Sequence, residues 1–112
     1  MQFETKKIGV VTVVKVQIEV LDAGNAKEFR AGISPILEEG AKIVFDMSQL
    51  NFLDSSGCGT ILSCLRQLNA AGGDLKMFGL QQSVRTLFEL IRLHRIIDIF
   101  NTRDEAVNAY RM

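Results

Sequence analysis

The run Lys42 to Met47, KIVFDM, constrains the fold more than any other segment. Its apolar residues are not interleaved with polar ones, the pattern of a strand buried on both faces. Helical spacing flanks it on both sides. Before it, Phe29, Ile33, Ile36 and Leu37 recur at helical intervals among Lys27, Glu28, Arg30, Glu38 and Glu39, and Gly40 is a common closing residue. Pro35 lies inside that pattern and is expected to kink the helix or end its first half. After the strand, Cys58, Ile61, Leu62, Leu65 and Leu68 form a second stripe that ends at Gly72-Gly73. Leu75 to Leu80 reads as a strand, Val84, Leu87, Phe88 and Ile91 as a third helix, and Ile96 to Phe100 as a last strand. Thr102 is placed to cap a final helix carrying Ala106, Val107 and Tyr110. Upstream, Ile8 to Val16 and Gln17 to Leu21 predict two antiparallel strands joined by a tight connection near Lys15. An N-terminal strand pair followed by alternating strands and helices predicts an α/β fold with a small mixed sheet and parallel crossovers.

The chain has 112 residues, the size of one domain, and no repeat, low-complexity stretch or linker divides it. Thirteen basic and thirteen acidic residues leave no net charge, and no Lys/Arg cluster forms the footprint of a nucleic-acid binder. No segment approaches the ~18 apolar residues of a membrane span, and Met1 to Lys7 is too polar for a secretory signal. These features point to a cytoplasmic protein without nucleic-acid or membrane partners. Cys58 and Cys64 stand six residues apart in one predicted helix, about 600° of turn, which separates them around the axis. They read as small core or half-buried thiols rather than a disulfide or a metal pair. The single histidine, His94, lies between Arg92 and Arg95 and reads as solvated or edge-packed, so no metal set or Ser/Cys–His pair is apparent.

The stretch FLDSSGCGT, residues 52 to 60, departs from this plain pattern. Ser55 or Ser56 can cap the following helix, a contact worth ~1 kcal/mol, which explains one serine and not two. Gly57 and Gly59 fall in the opening turn, where each costs up to ~1 kcal/mol if it counts as helix interior. Two readings remain open on these residues alone. One is an ordinary strand-to-helix turn with a serine cap. The other is a functional helix N-terminus whose free N–H groups and dipole suit an anion, either bound or attached covalently to a serine. Neither a nucleotide-binding loop nor a hydrolase elbow fits, because no Lys follows Gly59 and neither serine stands in Gly-x-Ser-x-Gly.

Phe52-Leu53-Asp54-Ser55-Ser56-Gly57-Cys58-Gly59 resembles the signature of the STAS domain of bacterial anti-sigma factor antagonists (anti-anti-sigma factors). LDAGNAKEFR, IVFDMSQLNFLDSSG, AAGGDLKMFGL and SVRTLFELIRLHRIIDIF resemble the family's successive turns, strands and helices in order and spacing, over about Phe3 to Tyr110. The resemblance implies a single STAS domain over residues 1–112, with no sensor or transporter attached. It further implies a non-enzymatic switch. The unphosphorylated form binds an anti-sigma factor that is itself a serine kinase and so frees a sigma factor. Phosphorylation of the serine after the signature Asp, here Ser55, reverses this, and a serine phosphatase restores it. ATP and magnesium belong to the kinase, and the chain itself needs no cofactor. Ser56 falls where the family has Ser or Thr and is expected to be the helix cap. Asp22, Asp54, Ser55, Ser56, Gly57 and Gly59 are the expected partner-binding residues, the glycines letting a partner approach. Cys58 stands where Leu is common, and no glycine precedes the Leu21-Asp22 pair. Two other readings are a non-phosphorylated STAS scaffold or transporter accessory subunit, and a small enzyme using Ser55 or Cys58.

Overall fold

The computed structural model describes residues 3–39 and 41–111. Among the described residues, seven strands and four α-helices follow one another as β1 (Phe3–Ile8), β2 (Val11–Val16), β3 (Val20–Leu21), α1 (Ala26–Glu39), β4 (Lys42–Asp46), β5 (Phe52–Leu53), α2 (Ser55–Ala70), β6 (Asp74–Phe78), α3 (Gln82–Leu90), β7 (Asp98–Phe100) and α4 (Arg103–Ala109), with one short 3-10 helix, Leu93–Arg95, before β7. Five strands form the main sheet in the order β1-β2-β4-β6-β7. The β1–β2 pair is antiparallel, and β2–β4, β4–β6 and β6–β7 are parallel. This is the α/β fold with a small mixed sheet expected from the sequence.

The strand pair sits earlier than the sequence suggests. Gly9 has φ +63°, so the apolar run from Ile8 breaks there, and the hairpin turns at Gly9-Val10 rather than near Lys15. The first strand is therefore Phe3–Ile8, whose central residues Glu4, Thr5, Lys6 and Lys7 are exposed. A charged edge strand discourages pairing with other chains and carries no apolar alternation, so sequence patterning does not reveal it. The other expected strand, near Val20, leaves the main sheet. Val20-Leu21 pairs in parallel with Phe52-Leu53 to form a second, two-stranded sheet.

α1 continues through Pro35. Pro35 and Ala31, whose carbonyl loses its helical donor there, both lie on the exposed side, where water can replace the bond. Gly40, expected to close this helix, lies outside the described residues. The helix buries Phe29, Ile33 and Leu37, one residue per turn. Strand alternation sends Val14, Val16, Ile43, Phe45, Leu75 and Met77 into the same core as α1, α2 and α3. Val11, Val13 and Val44 face the other side, where α4 covers them with Ala106 and Val107. Thr102 caps α4 as expected, accepting from the Glu105 N–H at 3.2 Å while Glu105 Oε1 accepts from the Thr102 N–H at 3.0 Å.

Past α4, the Tyr110 hydroxyl donates to the Ile43 carbonyl at 2.8 Å, and Lys76 Nζ lies 4.7 Å from the Tyr110 ring centre. Lys76 is buried and pairs with Asp98 at 2.8 Å and Asp74 at 3.4 Å. Burial disfavours its charge, but the Asp98 hydrogen bond and the two carboxylates outweigh that and raise its pKa. Tyr110→Phe removes the bond to Ile43 and is expected to cost about 1 kcal/mol, or about 4 °C in Tm, by thermal unfolding.

Candidate functional site

The second sheet positions the turn before α2. Leu21 and Leu53 point into the core, while Val20 and Phe52 are exposed on the opposite face. Asp54 follows in extended conformation and is the N-cap of α2. Its Oδ1 accepts from the Gly57 N–H at 2.9 Å. The other oxygen, Oδ2, accepts from the Ala23 N–H at 3.2 Å, in the turn between β3 and α1. The carboxylate thus joins two segments 31 residues apart in the chain. The Gly57 N–H bond is the main cause that holds the Asp54 pKa below its ordinary value of 3.8, with Ala23 adding to it against some desolvation.

This corrects the expected cap. Ser56 occupies the second turn position, its carbonyl accepts from Thr60 Oγ1 at 2.9 Å, and its hydroxyl does not cap the helix. An ionised carboxylate is the stronger acceptor for a helix N-terminus. Ser55 and Ser56 are both exposed, and among the described residues neither hydroxyl has a hydrogen-bond partner.

Asp22 is half-buried and shapes its own turn. Its Oδ1 accepts from the Gly24 N–H at 2.9 Å, and its N–H donates to Asn25 Oδ1 at 2.9 Å. The Asn25 side-chain amide donates in turn to the Val20 carbonyl at 2.7 Å.

The two glycines separate. Gly57 is buried, and a Cβ there would lie 2.3 Å from the Leu21 carbonyl oxygen and 2.8 Å from the Leu53 Cβ. Its lack of a side chain is thus required inside the fold, by the close approach of α2 to β3, and not by a visiting partner. Gly59 is exposed and a Cβ there meets nothing within 4 Å.

Asp22, Asp54, Ser55, Ser56, Gly57 and Gly59 therefore gather at the start of α2 and the turn beside it. The sequence reading missed Ala23 and the Leu21 carbonyl, backbone groups that no residue type announces.

Cys64 is buried, and burial pushes its thiol up to about 12. Cys58 is half-buried, and desolvation followed by the Asp54 charge raises its pKa as well. Both thiols are poor nucleophiles in consequence. His94 is exposed in the turn Leu93–Arg95, as its sequence context suggests. Among the described residues no group of three or more His, Cys, Asp or Glu could hold a metal ion, and no helix is long and apolar enough to cross a membrane.

Comparison with known proteins finds matches over most of the chain. The STAS domain family model matches residues 2–106. The anti-sigma F factor antagonist of Lysinibacillus sphaericus is 30% identical over 91 residues, covering 80% of this chain and 78% of its own. A crystal structure of a putative anti-sigma factor antagonist from Thermotoga maritima superposes with a TM-score of 0.86 at 26% identity, over 98% of this chain and 95% of that one. The Bacillus cell fate determinant SpoIIAA in its phosphorylated form shares the fold, with a TM-score of 0.69 at 24% identity over 97% of this chain and 99% of that one.

The geometry makes predictions at three positions. Gly57→Ala should destabilise the protein by about 3 kcal/mol in chemical denaturation, because a backbone carbonyl must move. Gly59→Ala should stabilise it by about 0.5 kcal/mol, since the new methyl has room and a helix interior prefers Ala. Asp54→Ala should lower Tm by about 5 °C at pH 7. Because the folded pKa is depressed, the ionised cap stabilises above the ordinary value of 3.8, and this is lost as pH falls through the depressed one. The Tm gap between wild type and Asp54→Ala should therefore narrow progressively below pH 3.8.

Proposed function

The chain belongs to the STAS domain family and, within it, to the anti-sigma factor antagonists, and from that premise we propose that it is a partner switch controlled by phosphorylation of Ser55. The unphosphorylated form binds an anti-sigma factor that is also a serine kinase, and so releases a sigma factor. Kinase, ATP and magnesium come from that partner, and a serine phosphatase reverses the modification. The chain acts in the cytoplasm and performs no chemistry of its own, in keeping with its raised thiol pKa values and exposed His94.

The observation that carries this reading is the free, exposed Ser55 hydroxyl in the first turn of a helix already capped by Asp54. A kinase can take Ser55 without removing any hydrogen bond of the fold. Ser56 offers a free hydroxyl one residue later, so structural duty does not separate the two. Ser55 is favoured by its place directly after the signature Asp. A phosphate adds roughly −1.5 to −2 charges. The helix N-terminus accommodates that charge, so the domain stays folded. A partner surface fitted to the unmodified site meets it beside the Asp54 carboxylate, with repulsion and a desolvation penalty.

Incubation with candidate kinases and ATP, followed by mass-spectrometric mapping, should find one phosphate, on Ser55. Phosphate on Ser56 alone would overturn the assignment, and no transfer from any kinase would favour the scaffold or accessory-subunit reading. Ser55→Ala should bind the anti-sigma factor within twofold of wild type in calorimetry. Ser55→Asp should bind at least tenfold more weakly, ~1.4 kcal/mol, with Tm unchanged within about 3 °C.

A further inference from the structure

Helices α1 and α2 pack against each other and leave a groove of about 440 Å³ between them. Its floor is formed by the buried Ile33 and Cys64, with Ala31 at the side. Burial pushes the Cys64 thiol up to about 12, so the floor carries no negative charge. The Arg30 charge acts against that shift, which places its guanidinium within electrostatic reach of the floor. The rim is polar, with Arg30 and Ser34 from α1 and Ser63, Arg66 and Gln67 from α2. Residues one turn apart share a face of their helix, so each set lines its own side of the groove. Gln67 Nε2 donates to the Ser34 carbonyl at 3.4 Å and to the Ser34 hydroxyl oxygen at 3.3 Å, tying the two sides together.

Two guanidinium groups from different helices thus border one groove, and no acidic residue lines it. Among the described residues neither Arg30 nor Arg66 has an ion-pair or hydrogen-bond partner. Cations elsewhere in the chain do: Arg85 pairs with Glu89, and Lys76 with Asp98 and Asp74. The Ser63 hydroxyl is likewise free, and the Ser34 hydroxyl still has its hydrogen to donate after accepting from Gln67. Fixed positive charge and spare donors around a neutral floor make an anion site with an apolar base.

We propose that this groove binds the phosphate monoester of a small molecule, with Arg30 and Arg66 holding the phosphate and the organic part lying over Ile33, Ala31 and Cys64. Two guanidiniums match the roughly −1.5 to −2 charges of a phosphate monoester. A planar carboxylate is satisfied by one bidentate arginine and would leave the other unused. The volume lies within the range of small-molecule sites and leaves room for more than a bare ion. Ser34 and Ser63 supply donors for the remaining phosphate oxygens. The groove stands apart from the proposed switch, because Ser63 lies about two turns, roughly 12 Å, beyond Ser55 along α2. Binding here therefore does not depend on whether Ser55 is modified.

The test is NMR titration of the full chain, labelled with ¹⁵N, against glycerol 3-phosphate, glucose 6-phosphate and inorganic phosphate. Backbone signals of residues 30–34 and 63–67 and the Nε–H signals of Arg30 and Arg66 should shift saturably with at least one ester, at a Kd on the order of 1 mM. Glycerol and glucose, which lack the phosphate, should cause no saturable shift. Arg30→Gln and Arg66→Gln should each weaken ester binding about tenfold or more. Both side chains are exposed, so Tm should stay within about 3 °C of wild type. Arg95→Gln is the control: it removes an exposed guanidinium outside the groove, in the turn after α3, and should leave affinity within about twofold. No saturable shift with either ester at about 20 mM overturns the site, as does affinity unchanged in both groove variants. Equal affinity for inorganic phosphate and both esters overturns the assignment to an ester. Shifts centred on the first turn of α2, or spread over Arg95 as strongly as over Arg30 and Arg66, overturn the groove as the place of binding.

Discussion

Two backbone N–H groups, of Ala23 and Gly57, converge on the carboxylate of Asp54, and the geometry around the proposed switch depends on that convergence. One oxygen starts α2 and the other secures the turn that starts α1. An ionised carboxylate is a strong acceptor for a helix N-terminus, and the Gly57 and Ala23 N–H bonds hold its pKa below the ordinary value, favouring its ionised form. Because Asp54 does this work, the serines after it have no structural duty. Their hydroxyls are free for chemistry in the one part of a helix that tolerates added negative charge.

Beneath the carboxylate, the approach of α2 to the small sheet sets the second constraint. Gly57 lies so close to the Leu21 carbonyl that no side chain fits, and this fixes how far the α2 N-terminus stands above β3 and β5. Leu21 and Leu53 anchor that sheet in the core, while Val20 and Phe52 face outward. Support from the core on one face and an exposed surface on the other would let a modification at Ser55 alter binding without propagating into the core, as the proposed switch requires.

Strands β2, β4, β6 and β7 and the four α-helices were legible because their apolar residues run on continuously, as in KIVFDM, or repeat at helix spacing, as in the Cys58–Leu68 stripe. The Thr102 cap was legible for the same local reason, a Thr followed three residues later by Glu105. What escaped lacked an apolar pattern or depended on partners remote in sequence. β1 is an edge strand whose side chains are charged, and β3 and β5 are two residues long and exist only by pairing across 32 positions. The cap at Asp54 instead of Ser56 is itself a local bond to the Gly57 N–H, available to Asp as readily as to Ser, and only the second bond, to Ala23, lies beyond local pattern. Gly57 drew notice in the sequence, but a glycine excused by an internal carbonyl and one left open for a partner look alike until their surroundings are known.

The central claim is that the Asp54-capped turn keeps its geometry while charge on Ser55 changes what the surface binds. Amide hydrogen exchange at Gly57, measured by NMR on the unmodified and Ser55-phosphorylated protein, tests it most directly. If the cap is independent of the serine, protection of the Gly57 N–H should agree within about twofold between the two forms, even as partner affinity falls. Loss of Gly57 protection on phosphorylation would contradict the account, because the modification would then act by opening the turn and not by placing charge on an intact surface.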